Sequence, residues 1–138
     1  MFHLAFPVSN LAETKQFYVE GLGCIPGRET PGCLILNLHG NQIVAHLTPQ
    51  PLAPQGSIYP RHFGIIFETK AEWQGILERS QRQDLSFYQA PRQRFPDSVL
   101  EHYTFFLEDP FHNLLEFKFY SHAEAIFGAI DQAKVGDG

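Results

Sequence analysis

Cysteine is scarce in this chain. Only Cys24 and Cys33 are present among 138 residues, so at most one bridge could form and a disulfide-stapled scaffold is excluded. Long apolar runs are missing too: nothing approaches the roughly 20 residues needed to cross a bilayer. The opening Met1-Phe2-His3-Leu4-Ala5-Phe6-Pro7 lacks the apolar core of a secretory leader. Together these absences point to a reducing, cytoplasmic setting with no membrane partner. Basic residues are few, 10 against 15 acidic ones for a net charge of −5 with histidine neutral, which argues against broad binding to a phosphate backbone and therefore against a nucleic-acid partner. What the chain does have is 43% hydrophobic residues, 13 phenylalanines and seven histidines. At this length well over half of the unfolded surface can be buried, so 1–138 reads as a single domain that needs neither disulfides nor a structural metal.

Apolar periodicity divides that domain into two similar units. Over 2–8, Phe2, Leu4, Phe6 and Val8 alternate with His3, Ala5 and Pro7, the period of a half-buried strand. Asn10-Leu11-Ala12-Glu13 then fits a capping box, and Leu11, Phe17, Tyr18 and Leu22 supply an apolar stripe until Gly21 and Gly23 end the helix. Two strands follow over 33–39 and 42–48, turned by Gly40-Asn41. Four prolines over 49–60 mark a linker. The pattern then recurs: a strand over 62–68, a second capping box at Thr69-Lys70-Ala71-Glu72, a helix with Trp73, Ile76 and Leu77 buried, a short strand within 85–96, and a hairpin over 102–108 and 113–120. The predicted organisation is unit 1 over about 1–48, a linker over 49–60, unit 2 over about 61–120, and a terminal helix from Ala123 to Ala133 within a 121–138 tail. The predicted fold is α+β, two tandem βαβββ units forming a curved mixed-sheet cup with helices outside.

Strand parity gathers the metal-type side chains on one surface. The strongly apolar face of each strand must pack under the helices, which leaves His3, His46, His62 and Glu116 on the other face with Asn37, His39 and His102. A pseudo-twofold relation would bring His3 and His46 to face His62 and Glu116. Imidazoles with one carboxylate suit Fe(II), Mn(II), Zn, Ni or Co.

The run from His3 to Leu11, Phe17-Tyr18, Leu22-Gly23, Arg61-His62-Phe63-Gly64, and Phe106-Leu107-Glu108-Asp109-Pro110 followed by Asn113-Leu114-Leu115-Glu116-Phe117 resembles the vicinal oxygen chelate superfamily. That superfamily holds glyoxalases, bleomycin-resistance proteins, fosfomycin-resistance transferases and extradiol dioxygenases. The resemblance implies a divalent metal, with Fe(II) or Mn(II) favoured, held by His3, His62 and Glu116 and chelating vicinal oxygens of a small-molecule substrate. It implies that His46 is either a fourth ligand or the acid/base residue, and that Asn37, His102 and Phe106 line the substrate. The implied chemistry is an oxidoreductase of the ring-cleaving dioxygenase kind, with a glyoxalase-like lyase or isomerase, or a non-catalytic resistance-type binding protein, as alternatives; the implied assembly is a homodimer. The chain departs from the pattern at Phe106, where ring-cleaving members carry a tyrosine, and at His112, where a glycine is usual.

Overall fold

A computed structural model describes residues 1–132. The chain runs β1 (His3–Val8), α1 (Leu11–Lys15) widening into a π-helical segment (Gln16–Gly21), β2 (Ile25–Thr30), β3 (Cys33–Leu38) and β4 (Asn41–Leu47). It continues with β5 (Phe63–Phe67), α2 (Lys70–Arg82), β6 (Phe87–Arg94), β7 (His102–Glu108), β8 (Leu114–Tyr120) and a single 3-10 turn (Ala123–Ile126). The expected terminal helix is thus reduced to that turn among the described residues, and Ala133 lies outside them. Both expected caps form: Asn10 Oδ1 accepts from the Glu13 amide at 2.8 Å, and Thr69 Oγ1 accepts from the Glu72 amide at 3.2 Å while donating to Glu72 Oε1 at 3.0 Å.

The strands form two four-stranded mixed sheets, ordered β1-β4-β3-β2 and β5-β8-β7-β6. In each, the first strand pairs parallel with the last and the remaining pairs are antiparallel, as two copies of one βαβββ unit require. A continuous core joins them, containing Phe6, Val8, Tyr18, Leu36, Phe67, Trp73, Phe105 and Phe117. The phenylalanine surplus is used here: Phe105 stacks obliquely on Phe117 at 5.3 Å and on Phe87 at 5.6 Å, contacts that add to simple burial. Trp73 of α2 donates its indole N–H to the Phe117 carbonyl at 2.9 Å, satisfying the polar atom of a buried ring.

Polar contacts fix one unit against the other. Arg79 of α2 donates to the carbonyls of Gly21 and Glu20 at 2.8 and 2.9 Å, where the π-helical segment ends. The Tyr18 hydroxyl donates to buried Asp109 at 2.7 Å. Asn113 donates to the Pro7 carbonyl at 2.9 Å, and the Phe6 and Phe63 rings lie 5.4 Å apart. The C-terminal end of β1 therefore sits beside the N-terminal ends of β5 and β8. Among the described residues no helix is long and apolar enough to cross a membrane. Both cysteines are free, and burial pushes the Cys24 thiol up to about 12, which makes it inert at neutral pH.

Candidate functional site

Sheet parity places the chemistry on the face of the second sheet that turns away from α2. Along β8, Leu115 and Phe117 enter the core while Glu116 and Lys118 alternate to the other side; along β7, Phe105 and Leu107 do the same against Thr104 and Phe106. His62 immediately precedes β5, and its Nε2 lies 3.2 Å from Glu116 Oε1. The other atoms of both side chains are already committed. Thr104 donates to Glu116 Oε2 at 2.5 Å, and His62 Nδ1 lies 2.7 Å from the Ile58 carbonyl. A carbonyl only accepts, so Nδ1 carries the hydrogen. In a neutral ring Nε2 then presents a lone pair to a carboxylate oxygen, and a cation must lie between the two atoms: a proton or a metal ion.

The electrostatics agree with that demand. The hydrogen bond to Glu116 holds the His62 pKa above its ordinary value, against burial, with help from the Ile58 carbonyl. Burial pushes the Glu116 carboxyl up, but the His62 contact, the Lys118 charge and the Thr104 hydroxyl outweigh it, leaving the pKa lowered. Lys118 Nζ is 3.6 Å from Glu116 Oε1. The Phe106 ring stands edge-on to His62 at 5.0 Å. Gly64 faces Glu116 across the parallel pair, and a Cβ there would stand 1.6 Å from the Glu116 carbonyl oxygen. Only glycine lets the two strands carrying the site approach this closely.

Of the expected site residues, the structure brings together His62, Glu116 and Phe106. His102 lies on the same sheet, buried, with Nδ1 2.9 Å from the Leu100 carbonyl and its ring 4.9 Å from Tyr120. Asn37, His3 and His46 belong to the first sheet. Asn37 accepts from the Gly40 amide at 2.7 Å in the β3–β4 turn, and His3 Nδ1 lies 2.7 Å from Gln42 Oε1. The junction runs through Pro7, and His3 is four residues before it, about 13 Å away at ~3.3 Å per residue. A single chain therefore does not close the expected cup, and no group of three His, Cys, Asp or Glu positioned to hold a metal occurs among the described residues.

Register also separates His3 from His46. His3 pairs with Gln42 and Pro7 with His46, so the two histidines stand roughly 13 Å apart on parallel side-chain directions and do not hold one ion together. The offset between the two N-caps, Asn10 and Thr69, carries His3 onto His62 and Ala5 onto Gly64. Gly64 faces Glu116 and Ala5 faces Val44, so Val44, not His46, occupies the place equivalent to Glu116. Thr104, Lys118 and Ile58 are the site residues not singled out in the sequence. The first two share the strand parity of Phe106 and Glu116 and were accessible to that bookkeeping; Ile58, within the proline-rich linker, gave no signal.

His102 yields a pH prediction. Burial lowers its pKa, the Leu100 carbonyl opposes, and the Lys118 and Arg94 charges lower it further. A histidine whose folded pKa lies below its unfolded value, about 6.5, contributes stability that is complete above that value and is lost as pH falls through the folded pKa. His62 is shifted the other way, so its contribution is complete below about 6.5 and fades as pH rises. Comparing wild type with His102→Gln by urea denaturation at pH 7.5 and 5.5 isolates the first effect: the variant is expected to lose less stability on acidification. An equal loss in both proteins would refute the assignment.

Comparison with known proteins adds a second line of evidence. The family model described as the Glyoxalase/Bleomycin resistance protein/Dioxygenase superfamily matches residues 1–117. A glyoxalase/bleomycin resistance protein/dioxygenase from Alicyclobacillus acidocaldarius is 39% identical, with 92% of this chain and 96% of that one covered and a TM-score of 0.87. A glyoxalase family protein from Enterococcus faecalis is 24% identical over 86% of this chain and 95% of that one, with a TM-score of 0.66. A virulence protein from Salmonella typhimurium is 22% identical over 87% and 95%, with a TM-score of 0.61. These last two similarities concern the fold alone. No curated protein sequence matches the chain.

Proposed function

Because the chain belongs to the glyoxalase/bleomycin resistance protein/dioxygenase superfamily, we propose that it is a metal-dependent small-molecule enzyme whose centre uses His62 and Glu116 of one copy and His3 of a second. The observation that carries this reading is the 3.2 Å approach of His62 Nε2 to Glu116 Oε1, on side chains whose other atoms are held by Ile58 and Thr104. The donor set fits a divalent metal. An imidazole oriented by a carbonyl and a carboxylate oriented by a hydroxyl are the outer contacts that ligands of such an ion need. The set suits Fe(II) or Mn(II) foremost, and Zn, Ni or Co as well. Among the described residues of one chain no third ligand of a facial triad joins the pair. His3 is exposed on the first sheet, and an isologous dimer, the commonest soluble assembly, is the means by which a second copy supplies it. When bound, the metal would act as a Lewis acid toward two adjacent substrate oxygens.

The chain's own residues do the rest. Phe106 forms an apolar wall beside His62, suited to a planar substrate. Lys118 and Thr104 keep Glu116 ionised and pointed at His62. His46, about four residues along the sheet from His3 and no ligand of the same ion, is assigned the proton-carrier role on the cup face. Ring cleavage of a catechol-like substrate is the first reaction class. Glyoxalase-like isomerisation calls for a carboxylate on the fourth strand, and the equivalent place holds Val44.

The test is metal content followed by turnover. Wild type is expected to bind metal as a dimer, and His3→Gln and Glu116→Gln each to lose it. Mixing those two variants should restore part of the binding, since a mixed dimer regains one intact site. Iron reconstitution without oxygen, then catechols with oxygen, is expected to give coloured ring-fission products in wild type and none in His46→Gln that has kept its metal. Turnover of a thiohemiacetal in their place would move the assignment to isomerase, and metal binding indifferent to both ligand variants would end the reading.

A further inference from the structure

The 48–60 segment roofs a cleft of about 750 Å³ between the two units, within the size range that takes a small molecule. Its apolar wall includes Leu52, Phe63, Phe111 and Leu114. Its ionisable lining residues are Arg61, His62 and His112; no Asp or Glu lines it among the described residues, although the whole chain carries a net charge of −5. Across the β7–β8 turn a second cleft, about 480 Å³, has the opposite character. Glu13, Glu20, Asp84, Glu108 and Asp109 line it, with no Lys or Arg. His112 borders both and pairs with Glu108 at 2.9 Å on the acidic side. Arg61 is thus the fixed cation of the first cleft, since a guanidinium does not deprotonate in the working pH range. The roof positions it: Gln55 Nε2 donates to the Arg61 carbonyl at 2.7 Å, and Arg61 Nε donates to Gln55 Oε1 at 3.5 Å. His62 is common to the lining of this cleft and to the candidate centre, where its Nε2 reaches Glu116.

We propose that this cleft, adjoining the candidate centre at His62, takes a small molecule with an apolar body and an oxyanion group, the oxyanion lying at Arg61 and the body on Leu52, Phe63 and Phe111. The inference rests on the function proposed above in placing the cleft's occupant beside His62. Charge complementarity supplies the selectivity: an apolar cleft with one permanent cation and no carboxylate favours an anion over its neutral analogue.

Two dyes test the selectivity without any metal or turnover. 1-Anilinonaphthalene-8-sulfonate is an apolar anion, and N-phenyl-1-naphthylamine has the same rings without the sulfonate. Fluorescence titration of the full chain is expected to give one saturable site for the anion. Its Kd should weaken at least tenfold in Arg61→Glu, while the neutral dye is indifferent to that substitution. Glu20→Gln, in the acidic cleft, should leave both dyes unchanged. Neither titration contains metal or follows turnover, so failure of the metal reading and failure of this one remain separable. If Arg61→Glu does not fold by circular dichroism, Arg61→Gln serves, with a smaller loss expected for the anion alone. No saturable binding of the sulfonate, equal affinity in the Arg61 variant, or parallel loss of both dyes would each overturn the proposal.

Discussion

Gly64→Ala is expected to destabilise the protein by about 3 kcal/mol or more, the upper range for forcing atoms into a packed interior, and to lower Tm by roughly 10 °C for a chain of this size. The reason is local and backbone-borne. An added Cβ would stand 1.6 Å from the Glu116 carbonyl oxygen and 2.6 Å from its carbon, where no side-chain rotation gives relief. β5 would have to leave β8, breaking a parallel ladder that runs from Phe63–Leu115 to Phe67–Phe119. Since His62 immediately precedes β5 and Glu116 lies on β8, the same movement pulls the 3.2 Å pair apart, so metal binding should fall together with stability. Gly75 provides the opposite sign. It lies exposed within α2 with open space where a Cβ would stand, and Gly75→Ala is expected to stabilise by roughly 0.5–1 kcal/mol through helix propensity and chain entropy. Thermal and urea unfolding of both variants decides the matter; a neutral Gly64→Ala would mean that β5 and β8 do not approach as described.

Most of the architecture was legible because its signals are periodic. Alternation over 2–8, 33–38 and 102–108, and the two capping boxes at Asn10 and Thr69, rest on the strand and helix repeats themselves, and the structure contains each of those elements. β2 was not, since Ile25–Thr30 holds a proline and a glycine and is exposed at every position, so it carries no apolar alternation. The site was legible by parity and only partly by position. Parity correctly sets His62, Glu116 and Phe106 on one face. Which ends of which strands meet depends on how the units pack, and that is decided by the Phe6–Phe63 and Asn113–Pro7 contacts, which strand alternation does not encode. Hence His3 fell on the expected face and at the wrong end for a site within one chain.

Asp109→Ala is expected to cost about 4 kcal/mol, because it strands four donors at once in a buried place. The carboxylate accepts from the Tyr18 hydroxyl at 2.7 Å and from the Asn113 side-chain amide and the backbone amides of Phe111 and Asn113, each at 2.8 Å. Each unsatisfied buried donor costs ~1–3 kcal/mol, with some relief where water can enter. Tyr18→Phe removes one of these bonds and should cost about 2 kcal/mol, the range for a hydrogen bond to a charged group. Burial raises the Asp109 pKa, and the bonds from Tyr18 and Asn113 oppose it. The folded protein therefore holds this proton to a higher pH than the unfolded chain does, so the Asp109 contribution to stability declines as pH rises from about 3.9 through the folded value. That decline should be missing in Asp109→Ala. Because Asp109 joins the β7–β8 turn to the first unit through Tyr18, the two substitutions should not add: once Asp109 is gone, Tyr18→Phe has lost its partner and removes a stranded hydroxyl. Urea denaturation of the two single variants and the double variant measures the coupling. A double-variant loss equal to the sum of the single losses would mean that the hydroxyl and the carboxylate do not work as a pair.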